Sequence, residues 1–369
     1  MRITSLALAL ALTAFVLARP AAAQPAAPIG IATKANKPWT HKPSAIAFPS
    51  AIDGFARSEV QDLSEGGLLD VSVAYDDPIG HTHVNIYIYH AAEPSTGLWF
   101  DVAATMIATN DKFGTVTPQG DPTAFTIPGA SVAAGLRQSF TITQIGRSSG
   151  VALIALGDWV VKLRMTSPVH DVVQLDAAMD RLIQQIGWPR TLPPLSAATT
   201  LLPCAQPSRF GPRASKIMQD NAATLLGAMM GSMATESRQK ARKEGKAPTA
   251  PALCVHPDRI GGRLPIYQGE GDNVGYIIPL GDSGVLLDVA QDALIGLLAT
   301  EKDKAATPAP WSVTVKKLDR WVQYPSYAII PPPDQAIEIV QNEAPLSSTI
   351  LDGKGGSRIN ISPDAMKTN

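Results

Sequence analysis

Three of the six histidines of the chain fall in one short segment, Gly80–His90. On a β-strand, residues two apart share a face, so His81 and His83 are predicted to point the same way. Two imidazoles at this spacing can chelate one divalent ion such as zinc or copper. Asp76 and Asp77, across the preceding turn, are the nearest carboxylates, and no further histidine has a spacing that recommends it as a third ligand. The absence of a third ligand favours the alternative, a solvated strand face.

A possible serine nucleophile occurs in the segment Gly281-Asp282-Ser283-Gly284, which resembles the serine-nucleophile segment of chymotrypsin-like proteases over four residues. The Gly-Pro that follows in that family is replaced here by Val285-Leu286, and no Ala-Ala-His-Cys segment precedes it to supply a base. Catalysis by serine needs a base and an orienting carboxylate within reach of the hydroxyl. The pattern therefore favours a tight turn between two strands.

Glycine-rich segments occur at 269–275 and 352–357. The first lacks a glycine at the third position that a dinucleotide-binding loop requires, and the second lacks the upstream glycine of a P-loop. We therefore expect no nucleotide cofactor, and a divalent metal at His81 and His83 is the one cofactor that the sequence leaves open.

Cys204 and Cys254 are the two cysteines of the chain. In an oxidising compartment, two lone cysteines within one domain usually pair. Closing a loop of this length would stabilise the fold by roughly 3–4 kcal/mol on the chain-entropy model. The alternative is a reactive thiol, but neither cysteine has a CxxC partner or a neighbouring basic cluster that would lower its pKa. We predict a disulfide.

The first 23 residues have the pattern of a cleaved signal peptide. A positive charge at Arg2 precedes an apolar run from Leu6 to Leu17, and three alanines end at Ala23. The run is shorter than the ~20 residues of a spanning helix. We expect cleavage after Ala23, no transmembrane segment in the mature chain, and a periplasmic or secreted location.

The composition is 45% apolar and 17% charged, which is typical of a chain that buries sizeable cores. The formal net charge of −1 argues against nucleic acid as a partner, because phosphate binding needs a basic surface.

Two α+β domains are predicted, each a mostly antiparallel sheet with packed helices, because strand and helix patterns alternate in both halves. The predicted divisions are a signal peptide (1–23), a flexible leader (24–44), an N-terminal domain (45–190), a linker (191–213), a C-terminal domain (214–345) and a loose tail (346–369).

The pattern within the N-terminal domain is strands, helix, strands, helix. A hairpin is predicted from a strand at 69–75 and the histidine-containing segment, and a helix at 96–109 has Ser95 as its cap. A second strand pair covers 151–156 and 159–166. In its second strand, Lys162 and Arg164 face away from the apolar side chains. A helix then carries Leu175, Met179, Leu182, Ile183 and Ile186 on one side.

In the C-terminal domain, a long helix is predicted at about 214–244, with a methionine-rich apolar stripe beside Gly227 and Gly231. Such a stripe faces a core in most proteins, and if exposed it is a contact for a partner or lipid. Short strands follow, with a further helix near 289–299.

For function, we expect an exported, non-catalytic binding or accessory protein whose partner is an unidentified small molecule or envelope protein. The sequence contains no recognisable nucleophile–base pair, paired carboxylates or complete set of metal ligands. Catalytic sites can also assemble from residues that are distant in the sequence. Two alternatives stay open. One is a metal-binding protein or metal-dependent hydrolase centred on His81 and His83, and the other is an assembly module that uses the helix at 214–244.

Overall fold

A computed structural model describes residues 27–64, 66–77, 79, 81–217, 233, 237, 244, 252–269, 275–291, 309–351 and 357–362. These residues form mostly antiparallel sheet, in at least two sheet bodies, with three α-helices of defined bounds. The predominance of antiparallel strands agrees with the prediction. None of the helices in this part of the chain has the length and apolarity of a membrane span.

The first sheet is antiparallel throughout and has the order β1-β5-β6-β7-β12-β11-β10-β8, with β4 beside β5 and β9 beside β10. A separate hairpin is formed by β2 and β3. The bounds are β1 (Ile29–Gly30), β2 (Trp39–His41), β3 (Ile46–Phe48), β4 (Ala51–Ile52), β5 (Phe55–Asp62), β6 (Asp70–Asp76), β7 (His83–His90), β8 (Val116–Pro118), β9 (Thr123–Phe125), β10 (Gly135–Ile142), β11 (Ser148–Leu156) and β12 (Trp159–Ser167). The predicted pairs β6–β7 and β11–β12 are confirmed.

Two helices cover opposite faces of this sheet. Helix α1 (Thr96–Ala108) begins at the predicted cap Ser95, whose hydroxyl accepts a hydrogen bond from the Leu98 N–H. Helix α2 (Val172–Gln185) begins with a capping box. On β12, Val160 packs in the cluster that contains α1, whereas the next residue, Val161, packs in the cluster that contains α2. Because successive side chains of a strand point to opposite faces, β12 contributes side chains to both apolar clusters.

The second sheet is an antiparallel meander in chain order. Helix α3 (Pro333–Asn342) packs on it through Ala336 and Ile339. The strand bounds are β13 (Leu253–Ile260), β14 (Leu264–Gly269), β15 (Tyr276–Pro279), β16 (Leu286–Gln291), β17 (Trp311–Lys316), β18 (Arg320–Gln323), β19 (Ser347–Leu351) and β20 (Ser357–Ile361).

The C-terminal segment differs from the predicted loose tail at 346–369, because β19 and β20 extend the second sheet. The pairing runs from Ser347 opposite Gln323 to Ile350 opposite Arg320. Backbone hydrogen bonds of this kind need no apolar alternation, so a strand rich in serine and threonine gives little periodic signal. In the predicted flexible leader, likewise, β1 pairs with β5 and β2 with β3.

The predicted helix at 214–244 does not begin at Ala214. The Ala214 backbone is bound on both sides by the Gln335 side chain, and Lys216 forms a β-bridge with Tyr327. Most of 218–244 lies outside the described residues, as do the signal peptide, Gly227, Gly231 and positions 292–299. Met233 is described, and its side chain is exposed. The first residues of the helix predicted near 289–299 belong to β16.

The predicted disulfide between Cys204 and Cys254 is present, with a Cα–Cα distance of 4.8 Å. It fastens the segment that precedes the second sheet to β13. Hydrogen bonds on either side support it, because the Cys204 N–H donates to the Val255 carbonyl and the Val255 N–H donates to the Leu202 carbonyl.

The two sheets contact each other on the α1 side of the first sheet. Tyr267 and Leu286 of the second sheet belong to the same apolar cluster as Tyr89 and Trp99 of the first. The Tyr267 hydroxyl donates a 2.6 Å hydrogen bond to Asp101 on α1. The second sheet therefore completes a core that α1 alone leaves open.

Candidate functional site

Charged and phenolic side chains meet where the second sheet covers the first, and we call this group the Lys162 cluster. It comprises Asp70 on β6, Tyr87 and Tyr89 on β7, Lys162 and Arg164 on β12, and Asp282 of the second body. Lys162 lies opposite Tyr87, and Asp70 lies opposite Tyr89. Because paired antiparallel residues share a face, these side chains project from the same side of the sheet.

Lys162 is the centre of the cluster and is only 2% exposed. Its Nζ lies 2.8 Å from Asp282 Oδ2 and also donates a 2.7 Å hydrogen bond to the Asp282 backbone carbonyl. The same nitrogen lies 4.6 Å from the centre of the Tyr87 ring and 5.5 Å from that of Tyr89. The amine is thus held by one residue of the second body and by two aromatic rings of the first.

Asp282 reaches the cluster from the turn between β15 and β16, the position predicted for the Gly281–Gly284 segment. Gly284 has a φ of +89°, and a Cβ placed there would lie 2.9 Å from Tyr89 Cδ2. The turn can therefore approach the first sheet only with glycine at this position. The Asp282 side chain is 26% exposed, and Arg164 Nη1 lies 3.7 Å from the oxygen that contacts Lys162.

Burial and mutual charge shift the titration of the cluster. Burial raises the pKa of Asp70 to about 7, against the attraction of Lys162. Burial likewise lowers the pKa of Lys162, although Asp282 opposes this shift. Burial disfavours the ionised form of Asp282, yet Lys162 and then Arg164 leave its pKa below the ordinary value. Among the described residues, Asp70 Oδ1 and the hydroxyl of Tyr89 have no hydrogen-bond partner.

A second lysine joins the two sheets nearby. Lys316 on β17 lies 2.7 Å from Asp288 on β16 and 3.2 Å from Glu93, which precedes α1 in the first body. Its amine lies over the Trp321 ring at 5.4 Å. Lys316 is paired within its own sheet, whereas the carboxylate closest to Lys162 comes from the other body.

The predicted metal ligands lie at the far end of β7. The strand begins at His83, and His81 precedes it with a φ of +51°, so the two residues do not lie together on one regular strand. His83 is exposed, and its Nδ1 lies 2.6 Å from Asp76 Oδ1. A hydrogen bond from Ser58, and then the contact with His83, lower the pKa of Asp76. In the described ranges, no three His, Cys, Asp or Glu side chains are grouped to hold a metal ion.

Two buried histidines fasten loops. The ring of His41 bonds Ser44 Oγ at 2.7 Å and the Leu68 carbonyl at 2.8 Å. The ring of His256 bonds the Ser208 carbonyl at 2.9 Å and accepts from the Asp258 N–H at 3.1 Å. Both nitrogens of each ring are therefore engaged within the fold.

A serine–histidine contact occurs at the end of β12, where Ser167 Oγ lies 3.1 Å from His170 Nδ1. The hydroxyl is fully buried and already accepts hydrogen bonds from the N–H groups of Val169 and His170. This geometry is typical of a serine turn that shapes the entry into α2.

A groove of about 710 Å³ lies on the second body, beside the start of α3. Its walls combine apolar side chains with charges of both signs. Among the residues that line it are Phe210, Ile260, Ile266, Asp258, Arg259 and Asp334.

Comparisons of the chain with protein-family models, with curated proteins and with solved structures gave no match. The site is therefore interpreted from its own geometry. Sequence reasoning placed Lys162 on the correct face of β12 but missed its partner, which is 120 residues away. The available signal was a lysine within a largely apolar stretch of β12, together with an aspartate in a glycine-flanked turn.

Proposed function

We propose that this protein is exported and acts as a non-catalytic binding or accessory protein of the cell envelope, with the groove on the second body as its binding surface. The groove is the observation that carries the proposal. Its volume of about 710 Å³ is within the range of sites that hold small molecules.

The charges of the groove favour a zwitterionic ligand such as a short peptide. Arg259 can pair with a carboxylate, while Asp258 and Asp334 can pair with an amine. Phe210 and Ile266 line the same groove and provide apolar contact. Ligands of this class are either free small molecules or the terminus of another protein.

Calorimetric titration with trialanine tests this proposal. We expect binding by the mature protein, and loss of binding when the peptide termini are blocked or when Arg259 is replaced by alanine. Arg263→Ala is the matched control, because Arg263 pairs with Asp111 outside the groove and its replacement should leave binding intact. Absence of any heat of binding with the wild type would contradict the assignment.

Export is supported by the disulfide, because such bonds persist in oxidising compartments. The full chain and a variant that lacks residues 2–23 should be expressed in the same bacterial host. We expect the full chain in the periplasmic fraction with Gln24 as its first residue, and the shortened chain in the cytoplasm. An unprocessed full chain in the cytoplasm would remove this part of the proposal.

The metal-binding alternative has one observation in its favour, the short contact between His83 and Asp76. A carboxylate that orients an imidazole through Nδ1 leaves Nε2 free for a metal. Metal analysis of purified protein and of a His81→Ala/His83→Ala variant decides this case. Stoichiometric zinc or copper that the variant loses would establish the site, whereas equal traces in both proteins would exclude it.

A further inference from the structure

We propose that Lys162 and Asp282 condense to an intramolecular isopeptide bond, which joins β12 of the first sheet covalently to the β15–β16 turn of the second. The reacting groups are already in contact, since Lys162 Nζ lies 2.8 Å from Asp282 Oδ2. The modification is independent of the proposed ligand groove.

The approach is constrained from both bodies. The hydrogen bond from Nζ to the Asp282 backbone carbonyl fixes the amine beside its own target residue. Gly284 in turn fixes the loop against Tyr89. Holding an amine and a carboxyl group together in this way corresponds to effective concentrations on the order of 10⁵–10⁸ M for well-oriented groups.

The condensation balances without an oxidant or an added reactant. Lys162 Nζ transfers one proton to the Asp282 carboxylate oxygen that it contacts at 2.8 Å, and the resulting neutral amine attacks Cγ of the protonated carboxyl group. In the tetrahedral intermediate, one of the two protons on the nitrogen moves to the hydroxyl oxygen of Asp282. The C–O bond breaks, that oxygen leaves as water, and a neutral amide remains.

The surroundings fit these steps. Burial raises the pKa of Asp70 to about 7, so below neutral pH this carboxyl group on the same face of the sheet is protonated and does not hold Lys162 in its charged form. The buried hydroxyl of Tyr89 has no partner among the described residues and is coupled electrostatically to Asp282, so it is available to donate to the oxyanion of the intermediate. Asp282 is partly exposed, which leaves a path for the departing water.

The product is also favoured by its environment. A buried ion pair has lost its hydration, whereas a neutral amide between the aromatic rings and the turn carries no net charge. Replacing the pair by an amide therefore removes the electrostatic cost of burial.

Intact-mass measurement of the purified full chain, reduced and denatured, tests the proposal. We expect a mass lower than that of the processed sequence by one water molecule. Trypsin should fail to cut after Lys162 and should yield one branched peptide that contains both residues. Full sequence mass with normal cleavage at Lys162 would overturn the proposal. Loss of water with normal cleavage at Lys162 would overturn it too, because a cyclic imide at an aspartate gives that result.

Two variants complete the test. Lys162→Arg retains the positive charge but lacks a nucleophilic amine, so it should show the full mass. Asp282→Ala lacks the carboxyl group that is attacked, so it should show the full mass and normal cleavage at Lys162. A mass lower by one water molecule in either variant would overturn the assignment of the two reacting residues.

Discussion

A buried amine dominates the chemistry of this protein at the scale of single residues. Lys162 is nearly inaccessible to water, and its charge is balanced by Asp282 from the other body. Removing one member of such a pair is costly because the other charge stays buried without compensation. Asp70 adds a second carboxyl group, so the cluster contains two carboxyl groups and two cations, Lys162 and Arg164.

The pH dependence of the free energy of unfolding should show the raised pKa of Asp70. Its pKa rises from 3.8 to about 7 on folding, so only the native state holds the proton between these values. Its contribution to the free energy of unfolding is therefore complete below pH 3.8 and is lost as the pH rises through 7. Asp70→Asn should remove this dependence and make the variant more stable than the wild type at pH 8, by up to about 4 kcal/mol.

Urea denaturation at pH 5 and pH 8 measures this effect. Asp121→Asn is the matched control, because Asp121 is exposed and its replacement should leave the pH dependence unchanged. Equal pH dependence in the wild type and in Asp70→Asn would contradict the assignment.

Relative to wild-type protein in which the isopeptide bond has not formed, Lys162→Met should lower the free energy of unfolding by about 3–5 kcal/mol, since it leaves Asp282 facing the sheet without its partner. The double variant Lys162→Met/Asp282→Asn should recover part of this loss, because the unpaired charge is gone. Denaturant titration of both proteins measures the coupling. Arg164→Met provides a comparison with a more distant contact, and we expect a loss below about 1 kcal/mol. Similar losses for both single variants would refute a special role for Lys162.

At the scale of elements, the turn between β15 and β16 brings the two sheets together. Its glycines have different tasks, because a Cβ at Gly284 would collide with Tyr89 whereas a Cβ at Gly281 would meet nothing within 4 Å. Both glycines have a positive φ, so a side chain at either position would strain the backbone. A comparison of the two positions therefore isolates the packing of the turn on β7.

Gly284→Ala should destabilise the protein by about 1–3 kcal/mol more than Gly281→Ala does, because overpacking adds to the backbone strain. Thermal denaturation of both variants, followed by circular dichroism, checks the difference. If the two variants have the same melting temperature, the turn does not pack against the first sheet as described.

At the scale of the whole molecule, the Cys204–Cys254 bond fastens the segment between the two bodies to the second sheet. Cys204→Ser/Cys254→Ser should lower the free energy of unfolding by about 3–4 kcal/mol, because the unfolded chain regains the entropy of an open loop. Dithiothreitol should destabilise the wild type by a similar amount and leave the variant unchanged. If the free energy of unfolding of the wild type is unchanged by the reductant although both thiols titrate as free, the disulfide contributes little to stability.

Much of the first sheet could be predicted because its information is local. The alternation in 69–75 and 159–166 and the Ser95 cap each act over a few residues, and the corresponding elements are present. The strands at 347–361 could not be predicted in the same way. They are polar, and their pairing with β18 depends on backbone groups that any sequence carries.

The sequence by itself determined the strand periodicities, the helix start at Ser95, and the two cysteines available to pair. Only the tertiary structure decided that Lys162 lies under Asp282, that Tyr89 touches Gly284, and that Asp70 shares their buried face. The physical reason is that a lysine on the polar side of a strand has the same local pattern whether water or another sheet covers it. Its burial, and with it its pKa and its reactivity, is set by residues more than a hundred positions away.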